Sequence, residues 1–538
     1  QLVVDALITL TGFRASNNNS GLIRCDGTYR LPVAGGLDSA MRLTFRGSGL
    51  SMDDSLRSSL PPSSQVVWDA LSPSGVLDDA TVVITQAGSG QPLGLDLLAT
   101  QFKVDQVTNR SLSIRPPSIP YRMDIAGGRV RYDGDRVTIT DVWARNDASL
   151  ITANGTCVPR PDGRWLLSLD VLNGSRLHPD AELIAAVPDA MGDAMRQLQL
   201  RGPVGLRGQT QVVLPDDQFP DPEVDWDLVL QLEGNRIGDV GPVHSVRGEI
   251  SVRGHHDVRR LSAMGEARID SLHMNQQHLW AIRGPFRIEN DLLLLGGSSR
   301  IPGTVSSTAG VIPDPIRGRV FGGVAEMDGE VRLASGDFDI GVAIRDGQVP
   351  VLLADWGHGK AGLTGTFQTQ ARFEGSLSAS HLLKGAGSAQ LTNANLYQLP
   401  LLVQVLNQLR ITPTEQVAFT DGDVEFTLLD DQFNFSQLKL WGDLVALDGG
   451  GTMNRRQELD LTFNTKVSPQ NTFSKLLNPL NDSHYTLWTI DVQGPLDSPE
   501  VNRRALDGVG KTLGRFIPNL GWNRGAEANP SSGSFFQR

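Results

Sequence analysis

The segment 422–451, GDVEFTLLDDQFNFSQLKLWGDLVALDGGG, alternates apolar and polar residues with a period of two. Because successive side chains of a strand point to opposite faces, this pattern predicts strands with one apolar face, and Asp430 and Asp431 mark a turn between them. The alternation changes phase between Phe435 and Leu438, which predicts a β-bulge, a strong twist or a change of strand there. The apolar positions are Val424, Phe426, Leu428, Phe433, Phe435, Leu438 and Leu440.

The same hairpin pattern occurs earlier in the chain, in the segment 127–143, GGRVRYDGDRVTITDVW. Its apolar positions are Val130, Tyr132, Val137 and Ile139, and further on Leu167 and Leu169 correspond to Leu459 and Leu461. A weaker third copy, GPFRIENDLLLLGGSS, has Phe286 and Ile288 before its turn and Leu292 and Leu294 after it. Repetition of this kind predicts a quasi-linear assembly in which each unit covers its neighbour.

Short helical segments separate these strand blocks. LRSSLPPSSQVVWDALSPSGV, from Leu56, and LIAAVPDAMGDAMRQLQLRGPVGL, from Leu183, share an apolar-Pro step, a helical run and a strand that begins with Gly. Leu399–Leu409 occupies the same place before the last hairpin, so we expect one inserted helix per block. Near the end, apolar residues at helical spacing predict an amphipathic basic helix, followed by a disordered tail. These residues are Val501, Ala505, Val509, Leu513 and Phe516.

Composition favours an all-β protein. The 538 residues include 58 Gly and only 6% aromatic residues, which suits many short strands with frequent turns. This length exceeds one ordinary core, so we expect several domains or one extended repetitive architecture. The formal net charge of -12 argues against binding of nucleic acid.

Motifs for catalysis, metals and cofactors are weak. GHGKAG, at 357–362, matches a dinucleotide-binding pattern, but an alternating segment follows it, so we interpret it as a turn between strands. ALDGVGKT, at 505–512, resembles a phosphate loop without a preceding strand. The histidine clusters GHHD and HMNQQH, from Gly254 and His273, lack ligand spacing, and no G-x-S-x-G motif occurs. We therefore predict no enzyme activity, no bound metal and no cofactor.

The two cysteines, Cys25 and Cys157, are too few for a zinc site or a disulfide scaffold. They either pair in an oxidising compartment or remain as buried free thiols. No apolar stretch approaches the roughly 20 residues of a membrane-spanning helix, and because the chain begins at Gln1, we expect any anchor to lie outside it.

Two architectures explain the apolar strand faces. In a β-sandwich, two sheets bury each other's apolar faces. In an open, curved antiparallel sheet, one apolar face would form a groove that needs a ligand to cover it. At one strand per roughly 12 to 15 residues and a spacing of about 4.8 Å, the row of strands would extend on the order of 170 to 210 Å. The predicted lining residues are the apolar positions named above from Val424 to Leu440, together with Leu459, Leu461, Phe463, Val130, Tyr132, Val137 and Ile139.

The segment 327–501 resembles the C-terminal region of the AsmA-like proteins, a family that includes TamB. The order and spacing of short motifs carry this resemblance. They are Gly385 and Gly387, Asn395 and Leu396, Leu399 and Pro400, the hairpin start at Phe419, Asp421 and Gly422, and the closing Val492, Gly494, Leu496 and Pro499.

The resemblance implies a periplasmic protein, tethered to the inner membrane by a segment that this chain does not contain. It implies a long hydrophobic β-groove that carries phospholipids between inner and outer membranes, supports outer-membrane biogenesis and works with envelope-assembly proteins. The corresponding regions are a repetitive β-groove at 1–320, an AsmA-like β region at 321–505, and a basic helix with a tail at 506–538. The alternative is an envelope scaffold of closed β-sandwich domains.

Overall fold

A computed structural model describes most of the chain. The described residues are 7–16, 22–31, 40–60, 65, 68–69, 71–88, 91, 93–101, 112–117, 120–187, 189–216, 218–238, 243–274, 277–297, 314–355, 363–377, 379–395, 400–409, 419–442, 445–467, 487–496 and 498–505. The motif GHGKAG, the basic helix beyond Ala505 and the tail lie outside these residues, as does ALDGVGKT apart from Ala505.

The described residues form twenty-seven strands and five short helices, which confirms the predicted all-β class. The first strands are β1 Leu7–Ser16, β2 Leu22–Arg30, β3 Ala40–Ser51, β4 Ser74–Gln86, β5 Gly94–Gln101, β6 Leu112–Ile114, β7 Met123–Tyr132, β8 Val137–Asn146 and β9 Ser149–Pro159. The next are β10 Trp165–Leu177, β11 Val204–Val213, β12 Glu223–Ile237, β13 Val243–His256, β14 Leu261–Met274, β15 Gln277–Glu289, β16 Leu292–Leu295, β17 Ile316–Val320 and β18 Gly323–Arg332. The last are β19 Asp337–Gln348, β20 Thr366–Ser376, β21 Ala379–Thr392, β22 Asp421–Leu429, β23 Gln432–Trp441, β24 Val445–Asn454, β25 Glu458–Val467, β26 Leu487–Pro495 and β27 Glu500–Ala505.

All twenty-seven strands belong to one antiparallel sheet in which sequence neighbours pair. Two positions are shared by two short strands each: β5 and β6 lie between β4 and β7, and β16 and β17 lie between β15 and β18. At a spacing of about 4.8 Å the row of strands extends for about 120 Å. This row is shorter than the sequence-based estimate because many strands are long; β12, for example, has 15 residues.

Five helices interrupt this order. They are α1 Asp54–Ser59, α2 Ala181–Ala186, α3 Asp189–Leu198, α4 Val349–Asp355 and α5 Pro400–Gln408. The predicted inserted helices correspond to α1, to the pair α2 and α3, and to α5. The Asp53 and Asp180 side chains cap α1 and α2 by accepting hydrogen bonds from backbone amides three residues on.

The hairpin predicted at Asp430 and Asp431 is present. Asp430 has a φ of 55°, a left-handed conformation that suits a two-residue turn between paired strands. The register between β23 and β24 shifts between Phe435 and Leu438, so of the three predicted alternatives the bulge is the one observed. In the third copy the register corrects the prediction, because Leu293 and Leu295, rather than Leu292 and Leu294, share a face with Ile288 and Phe286.

At the C-terminal end, the prediction of a helix that starts at Val501 is wrong. The segment Glu500–Ala505 is strand β27, paired with β26 from Gln493 to Trp488. Val501 and Ala505 are four positions apart, so they share a face in a strand as well as in a helix, and the free edge of β26 supplies backbone partners for a strand. The sheet also continues across residue 320, since β17 pairs with β18.

The C-terminal part of the sheet curves around α5. This helix lies between β21 and β22 in the chain, yet its Gln408 carbonyl accepts a hydrogen bond from Arg503 on β27. Residues of α5 share one buried cluster with strands as far apart in the sheet as β17 and β27, so the sheet bends around the helix.

Candidate functional site

The strand registers define one continuous apolar face. Residues paired across antiparallel strands point to the same side, so each pair extends the face by one strand. At the N-terminal end, Phe13 lies opposite Cys25, Cys25 opposite Phe45, Phe45 opposite Val82, and Val82 opposite Leu97. The same relationship can be followed from strand to strand through β27. We call this side the apolar face and the opposite side the polar face.

All fourteen predicted lining residues lie on the apolar face. In the earlier hairpin Tyr132 lies opposite Leu97 and Val137, and Val130 lies opposite Ile139. The later candidates pair with one another or with the same face of β24: Val424, Phe426, Leu428, Phe433, Phe435, Leu438, Leu440, Leu459, Leu461 and Phe463.

In the C-terminal third, helices cover this face. Leu402, Val405, Leu406 and Leu409 of α5 and the turn after it are at most 5% exposed, and they occur at the helical spacing that gives one apolar side. They belong to one buried cluster with α4 and the strands from β17 to β27. Of the predicted lining residues, those buried in the cluster are Leu459, Leu461 and Phe463, and those packed against it are Phe435, Leu438 and Leu440. Leu428 is buried outside this cluster, and Val424, Phe426 and Phe433 lie outside it and are only partly buried. The helices therefore close part of this face, around Leu459, Leu461 and Phe463.

In the N-terminal third, the apolar face is open. Val130, Tyr132, Val137 and Ile139 are only partly buried, and Phe13 is 61% exposed. The described part of the chain contains three clusters of buried apolar residues. All their members lie beyond Met191, which itself packs against one of them. We call the apolar face of β1–β5 and β7–β10 the open face.

Sequence reasoning missed most of the open face. Its further lining residues are Leu43, Phe45, Val82, Ile84, Leu95 and Leu97. The signal was present in MRLTF, which alternates with a period of two. It was weaker in TVVIT and LDLLA, where Val83 and Leu98 place further apolar residues on the polar face. The alternation is longest in the C-terminal copy.

Between these two regions, α3 lies on the apolar face. Met191 packs against a cluster of Trp226, Val252, Leu261 and Ala263. The Trp226 ring lies over Gly254, where a Cβ atom would collide with it, so glycine is required there. At the end of α3, Gln197 donates a hydrogen bond to the carbonyl of Ala334, 3.1 Å away, between β18 and β19. This contact fixes α3 against a distant part of the sheet.

The polar face carries cross-strand ion pairs. Arg131 lies 2.8 Å from Asp96, and Arg253 lies 2.6 Å from Asp227. Hydrogen bonding to Arg504 lowers the pKa of Asp491 below its ordinary value. These pairs lie at the surface, so each contributes little to stability.

The histidine clusters are distributed over the rims of the sheet. His255 Nδ1 lies 2.8 Å from Asp225, and the hydrogen bond to that carboxylate raises the pKa of His255. His244, His273 and His278 stack on three adjacent strands with ring centroids 5.3 and 4.7 Å apart. Within the described residues, no group of His, Cys, Asp or Glu side chains is arranged to hold a metal ion.

Both cysteines are free thiols whose side chains lie on the open face. Burial raises the pKa of the Cys157 thiol to about 11. The pKa of Cys25 is also raised, chiefly by burial and secondarily by the charge of Asp26. Both groups are therefore poor nucleophiles at neutral pH and serve as apolar lining.

No known protein family, curated protein or solved structure matches this chain. Among the described residues, none of the helices has the length and hydrophobicity needed to span a bilayer.

Proposed function

We propose that the open face binds the acyl chains of phospholipids and that the chain is a non-enzymatic lipid-binding and lipid-transfer protein. The observation that carries this proposal is the contrast along one continuous face. Among the described residues, a buried cluster with α4 and α5 covers much of this side in the C-terminal third, whereas no such cluster forms over β1–β5 and β7–β10. A large uncovered apolar surface on a folded chain is typical of a binding surface.

The chemistry of the open face suits hydrocarbon. Its side chains are aliphatic or aromatic, as in the row from Phe13 through Phe45 to Leu97. Transfer of an acyl chain from water onto such a surface is favourable by about 0.8 kcal/mol per buried CH₂ group. An acyl chain can bind this surface without directional contacts. The polar head group would remain in water at the edge of the sheet.

The single continuous sheet favours this function over the sandwich scaffold. Closed β-sandwich domains require two sheets that face each other, whereas the described strands pair in sequence from β1 to β27 within one sheet. An interaction scaffold would also leave the apolar side chains of the open face without a role.

The setting of this activity rests on the resemblance to the AsmA-like proteins. We place the protein in the periplasm, anchored to the inner membrane through a segment outside this chain. Its proposed role is to carry phospholipid between inner and outer membranes in support of outer-membrane biogenesis, together with envelope-assembly proteins.

The test is the phospholipid content of the purified chain, measured by native mass spectrometry. Val82→Asp with Ile139→Asp introduces two carboxylates on the open face and should strongly reduce the bound lipid. The matched control, Thr81→Asp with Thr140→Asp, changes the adjacent residues on the polar face, where each new carboxylate would lie opposite Arg46 or Arg129. Lipid-free wild-type protein, or equal lipid content in the two folded variants, would overturn the proposal.

A further inference from the structure

A row of three arginines crosses the polar face at the N-terminal end of the sheet. Arg14 on β1 lies directly opposite Arg24 on β2, and Arg24 lies opposite Arg46 on β3. Arg42, four residues before Arg46 on the same strand, points to the same face. We call Arg14, Arg24 and Arg46 the arginine row.

The arginine row forms no internal ion pair. All three side chains are exposed, and within the described residues none of them, nor Arg42, makes an ion pair or a side-chain hydrogen bond. Asp26 lies on the same face, but its Oδ1 accepts a hydrogen bond from the Gly12 amide at 2.6 Å. Like charges directly opposite one another destabilise a sheet. Three of them in register therefore favour an anionic partner from outside the chain.

A second arginine row provides a comparison. Arg268, Arg283 and Arg317 also lie in register on the polar face, across β14, β15 and β17. Here acidic residues neutralise the row, since Glu266 lies 2.7 Å from Arg268 and Glu326 lies 3.1 Å from Arg317. The fold thus pairs carboxylates with one arginine row and leaves the other without ion pairs.

A large apolar side chain lies beside the arginine row. On the same face, Leu22, two residues before Arg24, is 45% exposed. An exposed leucine beside arginines matches the boundary between head groups and acyl chains, where the guanidinium contacts phosphate and the apolar side chain enters the bilayer. A soluble anion would match the arginines but not the leucine.

We propose that the arginine row docks the N-terminal end of the sheet on an anionic bilayer surface. The guanidinium groups donate hydrogen bonds to lipid phosphates, an interaction that their planar, forked donors favour. The chain carries a net charge of -12, so the row is a local positive site on a negative molecule and orients this end towards the membrane. The proposal does not depend on acyl-chain binding by the open face.

Co-sedimentation with vesicles tests this docking. We would measure binding of the full chain to vesicles of equimolar phosphatidylglycerol and phosphatidylcholine and to vesicles of phosphatidylcholine alone. Wild type should prefer the anionic vesicles, and added salt should weaken its binding. The variant R14Q/R24Q/R46Q should lose about 100-fold in affinity, at about fivefold for each arginine near the surface. The control variant R268Q/R283Q/R317Q removes the same charge and should bind nearly as wild type does.

Several results would overturn the docking proposal. They are absence of wild-type binding, equal binding to both vesicle types, and equal loss of affinity in both triple variants. A variant R14Q/R24Q/R46Q that changes only the oligomeric state would assign the row to a contact between protein copies instead. Circular dichroism and thermal unfolding check that both variants fold. The phospholipid content of R14Q/R24Q/R46Q is measured as well. Loss of vesicle binding with unchanged phospholipid content would affect only the docking proposal, and not acyl-chain binding by the open face.

Discussion

Arg503 on β27 donates a hydrogen bond from Nη1 to the carbonyl oxygen of Gln408, 3.0 Å away at the end of α5. Its guanidinium carbon also lies 4.1 Å from the centroid of the Trp488 ring. Arg503 points to the apolar face, opposite Ile490. The helix carbonyl and the aromatic ring together accommodate a charge on that face, because helix C-terminal ends and aromatic faces both attract cations.

Arg503→Met should loosen α5 from the sheet. Loss of a charge-assisted hydrogen bond and a cation–π contact should lower the local opening free energy by about 1–3 kcal/mol. Hydrogen exchange of the segment Pro400–Gln408, followed by mass spectrometry, measures this change. Arg504→Met is the control: Arg504 lies on the polar face in an exposed pair with Asp491, and we expect a loss of only about 0–1 kcal/mol. Equal exchange in both variants would contradict the role assigned to Arg503.

Substitution of two phenylalanines should separate stability from lipid binding. Phe463 is 2% exposed in the closed core, so Phe463→Ala should cost about 3–5 kcal/mol of folding free energy. Phe45 is only partly buried on the open face, and Phe45→Ala should cost less than about 2 kcal/mol but reduce bound phospholipid. Urea unfolding and native mass spectrometry measure the two effects. The opposite pattern would mean that the closed and open regions have been assigned the wrong way round.

Thiol labelling should report on the open face. Because the thiolate is the reactive form, the pKa of about 11 at Cys157 predicts slow maleimide labelling at pH 8 and a rate that continues to rise towards pH 11. Bound acyl chains should slow the labelling of both Cys25 and Cys157 further. Labelling is quantified by the mass of intact protein before and after delipidation, with the urea-unfolded protein as the control. Rates unaffected by delipidation would place the lipid elsewhere.

The pairing of β12 with β13 should be more stable at mildly acidic than at alkaline pH. The pKa of His255 is raised from 6.5, first by its hydrogen bond to Asp225 and then by Asp257. A raised folded-state pKa gives stabilisation that is complete below pH 6.5 and is lost as the pH rises through the folded-state value. Hydrogen exchange in β12 and β13 should therefore show this gain in wild type and not in His255→Asn. A gain of the same size in the variant would exclude His255 as its source.

The amino-acid sequence by itself determined the strands and their two faces. Alternation around Val424 and Val130 predicted the hairpins, and the phase change after Phe435 predicted the bulge, because side-chain direction in a strand depends only on position in the chain. Four leucines follow one another at 292–295, so the sequence does not show which of them point to which face. Only the strand register showed that Leu293 and Leu295 share the face of Phe286.

Tertiary structure decided which part of that face is available. Phe463 and Phe45 have the same alternating surroundings in the sequence, but the first is buried in one cluster with α5 and the second is only partly buried. Local patterning cannot distinguish them, since burial depends on contacts between residues far apart in the chain. The same reason explains the strand at Val501: its spacing allowed a helix, and the unpaired edge of β26 made it a strand.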